Sequence, residues 1–264
     1  MLRSMFSAVS GLRSHQTMMD VTGNNVANIN TAGYKAVRTT FSETLTQVVR
    51  GGGAGDAGAG GVNPMQLGLG SQVAATDLVF SQGASQVTGR STDVAIQGDG
   101  FFTVQNTAGE EFYTRAGSFG VDNDGNLVNA QGLRVTGDDG NAIRIQADAT
   151  DISVGPDGTV MGKVAGVPTE QGTIQLALFA NPGGLVRVGN GLFEAGPAAG
   201  APVYGTPGDT QGLGGLQSGT LEMSNVDLAQ EFTNLILAQR GFQANGRTIS
   251  ASDELLQALV NHGR

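Results

Sequence analysis

From Leu228 onward an apolar residue returns every seven positions, at Leu228, Leu235, Phe242, Ile249 and Leu256. Such spacing marks one face of a helix. A second row, offset by four, runs Phe232, Gln239, Gly246, Asp253 and Val260. Together the rows alternate four and three as the a and d positions of a coiled coil do, with polar breaks in one of them. Ser224-Asn225-Val226-Asp227 supplies the start: Ser or Asn can cap the first free amides, and an acid at 227 suits the positive end of the helix dipole. No proline follows. A helix over residues 226–262 is roughly 55 Å long at 1.5 Å per residue, against a radius of gyration of about 18 Å for a compact globule of this chain length. Its seam needs a second helix.

The N-terminus offers one. Met5, Val9, Leu12, Gln16, Met19, Gly23 and Val26 repeat the four-three spacing, and Leu2 extends the row, which predicts a helix from residue 2 to about 29. Gly11 and Gly23 each weaken it by about 1 kcal/mol relative to Ala. Asn24, Asn25, Asn28 and Asn30, then Thr31-Ala32-Gly33-Tyr34-Lys35, end it with side chains that bond backbone and a glycine able to take positive φ. The asparagines have two readings: capping and turn chemistry, or a hydrogen-bond station between subunits.

Between the helices the pattern changes. Residues 36–50 are mixed, with Phe41, Leu45 and Val48-Val49 in a further short element. Gly51 to Gly61, built of glycine, alanine and one aspartate alone, has too little apolar surface for a core and reads as a flexible connector. From Gln72 onward short alternating runs predict strands at 72–80, 93–96, 101–104, 112–114, 118–121, 127–128, 143–145, 152–154, 160 and 174–179. The Asp-Gly pairs at 99, 124, 139 and 157 suit hairpins. Residues 181–220, rich in Pro and Gly, read as an extended return to the C-terminal helix. The expected fold is therefore α+β: terminal helices (1–30 with 221–264) forming a coiled-coil-like inner domain, a Gly-rich connector (31–75) and a central antiparallel β domain (76–220).

Chemistry is sparse. The only histidines, His15 and His262, lie in the terminal helices, and there is no cysteine, so a triad, thiolate chemistry and Cys- or His-rich metal sites find no support. Gly162-Lys163 lacks the Ser or Thr and the first glycine of a phosphate loop. Asp122 to Asn126 resembles the opening of a calcium loop, but its glycine comes too early and the closing Glu is missing, so a hairpin turn is expected. A net charge of -9 and scattered basic residues without aromatic neighbours argue against nucleic acid. No catalytic, cofactor or metal residue is assigned, and no small-molecule substrate is expected. Neither a cleavable signal peptide nor a run of about eighteen apolar residues is present.

Specific motifs then carry a resemblance. Gly11-Leu12, Asp20-Val21 and the run Asn24 to Lys35 resemble the N-terminal signature of bacterial flagellar rod and hook proteins; Asp93 to Ile96 with Gly98 to Phe102, and Tyr113 to Phe119, resemble central motifs of that family. Leu221 to Leu228, Gln239 to Asn245 and Asp253-Glu254 resemble its C-terminal block, with Gly246 a departure where similar proteins often carry Ser. Within the family the nearer likeness is to the short hook proteins, through Leu2-Arg3-Ser4-Met5 and the Gly-rich region before Asn63-Pro64 with Leu67-Gly68-Leu69-Gly70 after it. Distal rod proteins are the alternative. The resemblance implies a structural, non-enzymatic subunit that polymerises with itself into a hollow helical tube, the hook acting as a flexible joint that passes torque from rod to filament. It implies export through the flagellar type III apparatus to the basal body and exterior. It also implies contacts with the distal rod protein, the hook cap and the hook-filament junction proteins. The assembly interface is expected at Leu2, Met5, Val9, Leu12, Met19, Asn24, Asn25, Val26 and Asn28, and at Leu228, Phe232, Leu235, Phe242, Ile249, Leu256 and Val260. An adhesin with a β domain on a helical stalk is the competing class, and a polysaccharide-active enzyme a third.

Overall fold

The computed structural model describes residues 2–55, 60–209 and 212–262, and in the helices leaves aside the side chains of Leu2, Leu259 and His262. Residues 56–59 of the expected connector and the Leu2 side chain of the expected interface therefore lie outside the description. The architecture is α+β: helix α1 spans Leu2–Ala27, helix α2 spans Leu228–His262, and strands dominate between them. The chain divides into two compact units, one of residues 1–27, 37–77 and 227–264, the other of residues 28–36 and 78–226.

In the first unit α2 begins at a cap different from the one expected. Asp227 precedes the helix, and its Oδ1 accepts from the amides of Ala229 at 2.8 Å and Gln230 at 3.3 Å. An acidic cap satisfies two free amides and the dipole at once. Strands β1 (Val37–Glu43), β2 (Thr46–Arg50), β3 (Met65–Gly68) and β4 (Ser71–Leu78) accompany the helices. β1 pairs with β4, β2 runs antiparallel to β3, and a bridge joins Gly53 to Val62, so residues 37–55 and 60–78 make a two-stranded ribbon. Much of the stretch expected as connector is thus regular structure. Its Thr and Val content suits a ribbon whose backbone groups pair with each other and which requires no core of its own.

The second unit holds β5 (Ser85–Val87), β6 (Val94–Gln97), β7 (Phe101–Gln105) and β8 (Glu111–Thr114). A nine-stranded sheet is centred on β7, with β8 on one side and Arg134–Val135 on the other, followed outward by Leu127–Val128 and Gly120–Val121. The stretch expected as a bare return path feeds this sheet. Val186–Gly189 and Leu192–Glu194 extend it beyond β8, and Val203–Gly205 pairs with Leu176–Leu178, itself paired with β7. Ala149–Val154, Thr159–Val164 and Val167–Thr173 form a separate meander. Three Asp-Gly pairs close hairpins or tight turns. Asp99-Gly100 does not: it carries the chain from β6, which pairs with Gly215–Ser218, to β7 in the large sheet. Asp122 to Asn126 is a turn, Asp122 donating to the Asn126 carbonyl at 2.9 Å.

Two apolar clusters fill this unit. Val94, Ile96, Phe102, Val104, Phe119 and Leu127 belong to the larger, and Phe101, Tyr113, Phe179 and Phe193 to a smaller aromatic one whose rings meet edge-on or tilted. Full burial of such side chains contributes roughly 1.5–3 kcal/mol each, the main force holding the unit together.

Candidate functional site

The two helices pack along each other, on α2 through part of the first apolar row and on α1 beside the expected row, not on it. On α1 the buried positions are Ala8, Gly11, Ser14, Thr22 and Asn25; all but Ser14 stand one position before a member of the expected row, and Ser14 and Asn25 also bond Ser71 and Val37 of the strands. On α2 the inward positions are Ala238, Asn245 and Ser252 beside Leu235, Ile249 and Leu256, so the second row lies three residues after the first rather than four. Small residues at these places let the backbones approach. A Cβ on Gly11 would lie 2.7 Å from Asn245 Nδ2, and Gly241 sits directly against the His15 ring.

This rotation distributes the expected interface residues over three situations. Leu235, Ile249 and Leu256 lie half-buried on the inner side of α2, and Met5, Leu12, Met19 and Val26 half-buried at the edge of the α1 contact. Phe232, Phe242, Leu228, Val9 and Val260 are exposed, Val260 at 68%. Around them sequence spacing missed further exposed apolar side chains: Phe6 at 71%, Ile236 at 58%, Leu237 at 61% and Leu255 at 57%. Of the asparagines, Asn24 is exposed and Asn28 accepts from Thr31, whereas Asn25 is engaged inside the unit. Its amide donates to the Val37 carbonyl at 2.8 Å and to Glu231, and its Oδ1 accepts from the Val37 amide at 3.0 Å. Buried at 1%, Asn25 ties α1 to β1 and α2.

The second unit contains a feature that sequence reasoning missed. Lys35, Arg115 and Glu222 are buried together, with Lys35 Nζ 2.7 Å and Arg115 Nη1 3.4 Å from the two Glu222 oxygens. The remaining capacity is largely filled. Lys35 also donates to the Ser81 carbonyl at 2.8 Å, Arg115 Nη2 to the Gly98 carbonyl at 2.9 Å, and Glu222 Oε1 accepts the Gly83 amide at 2.9 Å. The Arg115 guanidinium lies 5.3 Å from the centre of the Phe101 ring. Burial lowers Lys35 from its ordinary value of 10.5, opposed by its hydrogen bond and attraction to Glu222; burial lowers Arg115 likewise, opposed by Glu222 and Asp99. Basic residues do therefore find aromatic partners, Arg187 over Tyr34 included.

Local structure explains how these residues meet. Gly33 takes φ 69°, and a Cβ there would stand 2.5 Å from the Ala116 amide, so only glycine brings the following Lys35 this close to Arg115. The Gly33 amide donates to the Glu222 carbonyl at 2.8 Å, the Ala36 amide to Asn225 Oδ1 at 2.8 Å, and the Val79 amide to the Ala36 carbonyl at 2.9 Å. Asn225, expected at the helix cap, instead joins residues 36, 79 and 81. Residues 33–36 and 222–225 are thereby held side by side on the β unit. The three side chains are buried, and they spend their polar atoms on one another and on backbone, apart from Arg115 Nε. Among the described residues no group of His, Cys, Asp and Glu has the arrangement of a metal site, and no helix is long and apolar enough to cross a membrane.

Three family models match the chain in sequence order. Residues 5–35 match the flagella basal body rod protein, 95–162 the flagellar hook protein FlgE/F/G D1 domain, and 217–261 the flagellar basal body rod FlgEFG protein C-terminal. The flagellar basal-body rod protein FlgG of Bacillus subtilis is 46% identical over 263 residues, 99% of each chain. That of Borreliella burgdorferi is 36% identical over 267 residues, 99% of this chain and 98% of the relative. The flagellar hook protein FlgE of Treponema pallidum is 53% identical over 139 residues, which cover 52% of this chain and 30% of that protein. Lys35, Arg115 and Glu222 fall one in each matched stretch, so the buried cluster is where the three meet.

Proposed function

Because the chain belongs to the family of flagellar rod and hook axial proteins, we propose that it is a self-assembling structural subunit of the flagellar rod. The observation that carries the choice of rod over hook is identity held over the whole length: 46% over 263 residues, 99% of both chains, for a rod protein, against 28% in a 440-residue alignment that spans 98% of this chain and 99% of one hook protein, and 53% confined to 30% of another. The features that favoured hook in the sequence have local explanations. Leu67-Gly68-Leu69-Gly70 lies in the ribbon, where a Cβ on Gly68 would stand 2.5 Å from Glu43 Oε1 and Gly70 takes φ 128° against Ser10. Those glycines serve ribbon and helix packing, which a rod subunit needs as much as a hook subunit.

Self-assembly is supported by the apolar side chains left outside the helix pair. Phe6, Phe232, Ile236, Leu237, Leu255 and Val260 would be costly to leave in water in a lone subunit. In a tube they bury against neighbouring helices, and the inner layer becomes coiled-coil-like between subunits as well as within them. The expected residues Phe232, Phe242 and Val260 then belong to the intersubunit face, with Leu235, Ile249 and Leu256 supporting it from within. The subunit reaches its place by flagellar export, joins other axial components end to end, and catalyses nothing. The second reading, hook subunit, rests on the 53% match to a hook protein. Electron microscopy of a strain lacking the gene separates the two: truncated rods are expected, and complete rods without hooks would mean a hook subunit.

A further inference from the structure

The buried cluster is unequal in its members. Glu222 contacts both cations and the Gly83 amide, whereas Lys35 and Arg115 each contact only one carboxylate, the same one. Take Lys35 away, and Arg115 and Glu222 remain a neutral, hydrogen-bonded pair built wholly from residues 78–226. Take Glu222 away, and two cations are left buried against each other with no anion between them, a far costlier state than a missing partner. The backbone repeats the asymmetry. Of the bonds that hold residues 33–36, the Gly33 amide reaches the Glu222 carbonyl and the Ala36 amide reaches Asn225, so the docking surface of the N-terminal segment consists in large part of the C-terminal one.

We infer that Lys35 closes a latch over a preformed Glu222–Arg115 pair, so that residues 28–36 dock on the β unit only after residues 220–226 have taken their place. The two segments immediately adjoin α1 and α2, and both are fixed within one unit by one buried event. A chain whose C-terminal segment is absent or unseated cannot bury Lys35, and its N-terminal segment stays loose. In a polymer built from incoming chains, this leaves residues 28–36 undocked in any subunit whose C-terminal segment is unseated. The inference goes beyond the proposed function and stands whether the subunit builds rod or hook.

Hydrogen exchange of the dilute full-length monomer, read by mass spectrometry, tests the order. In Glu222→Gln, the amides of Gly33, Ala36 and Val79 are expected to exchange about a hundredfold faster, while those of β7 and β8 change less than about threefold. In Lys35→Met, which keeps the Glu222–Arg115 pair, the same three amides are expected to speed up by only about tenfold. The double variant K35M/E222Q, with one buried cation instead of two, is expected to return toward the Lys35→Met level. Equal effects of the two single changes that add in the double variant would overturn the latch, as would equal acceleration across β7 and β8. Should Glu222→Gln alone not fold, a folded K35M/E222Q chain supports the order, and a double variant that also fails to fold overturns it.

Discussion

At the scale of single residues, the tightest constraint falls on Gly33. Alanine there must adopt φ 69° and place its Cβ 2.5 Å from the Ala116 amide, and neither backbone can yield without disturbing Lys35 or Arg115. Gly33→Ala is expected to destabilise the β unit by about 2 kcal/mol or more in urea unfolding, and a change under about 0.5 kcal/mol would contradict the account. Tyr204 gives a prediction in pH. Its hydroxyl donates to Glu111 at 2.6 Å and adjoins Tyr113 at 3.1 Å; burial first, then those bonds, raise Tyr204 above the ordinary value of 10.0, and burial raises Tyr113 likewise, opposed by its bond to Tyr204 and aided by Glu111. Below pH 10 both are neutral whether folded or not. Above it the unfolded chain ionises while the folded chain resists, so stability falls as pH rises through 10 and beyond. Tyr204→Phe is expected to flatten that fall in urea midpoints taken across the alkaline range; an unchanged slope would show that these hydroxyls do not govern it. Of this, only the positive φ of Gly33 was legible in the sequence. Lys35, Arg115 and Glu222 each stand in a recognisable motif, yet the motifs lie far apart along the chain and only the fold brings their charges together. The nearest signal was a charged residue flanked by apolar ones, as in Leu221-Glu222-Met223.

At the scale of elements, the helices were readable because a period near 3.6 over many turns has no competing interpretation, and α2 starts within two residues of the expected position. Which face meets the partner was not readable. Apolar periodicity locates apolar side chains, but close approach of two backbones selects small ones, and here Gly11, Ala238 and Gly241 lie where the helices touch. Gly11→Ala and Gly241→Ala each set about 1 kcal/mol of gained helix propensity against overpacking on Asn245 and His15, and a net loss is expected, seen as lost helical dichroism in the first unit at lower urea. Unchanged helix melting in both would mean that the contact is loose. The strands were found as local runs, yet their pairing was hidden because register is set between distant segments, as where β6 meets Gly215–Ser218. Of the ribbon, β4 matches the strand expected at 72–80, but β2 and β3 were hidden for the opposite reason: they are close in sequence, and their exposed Val and Leu residues gave no alternating pattern.

At the scale of the whole molecule, the account rests on exposed apolar side chains being covered by further copies of the chain. Phe232 is exposed and Leu235 half-buried within one turn of α2, so the same substitution at each separates assembly from folding. Leu235→Asp is expected to weaken the helix pair of the single subunit by a few kcal/mol, since it buries a carboxylate, whereas Phe232→Asp leaves the subunit's urea midpoint nearly unchanged. The most direct test is electron microscopy and sedimentation of the purified chain, wild type beside Phe232→Asp, across rising concentration. Long tubular polymers from the wild-type chain and monomers alone from Phe232→Asp are the predicted result. Identical tubes from both, or a wild-type chain that stays monomeric throughout, would contradict the claim that this helix face builds the polymer.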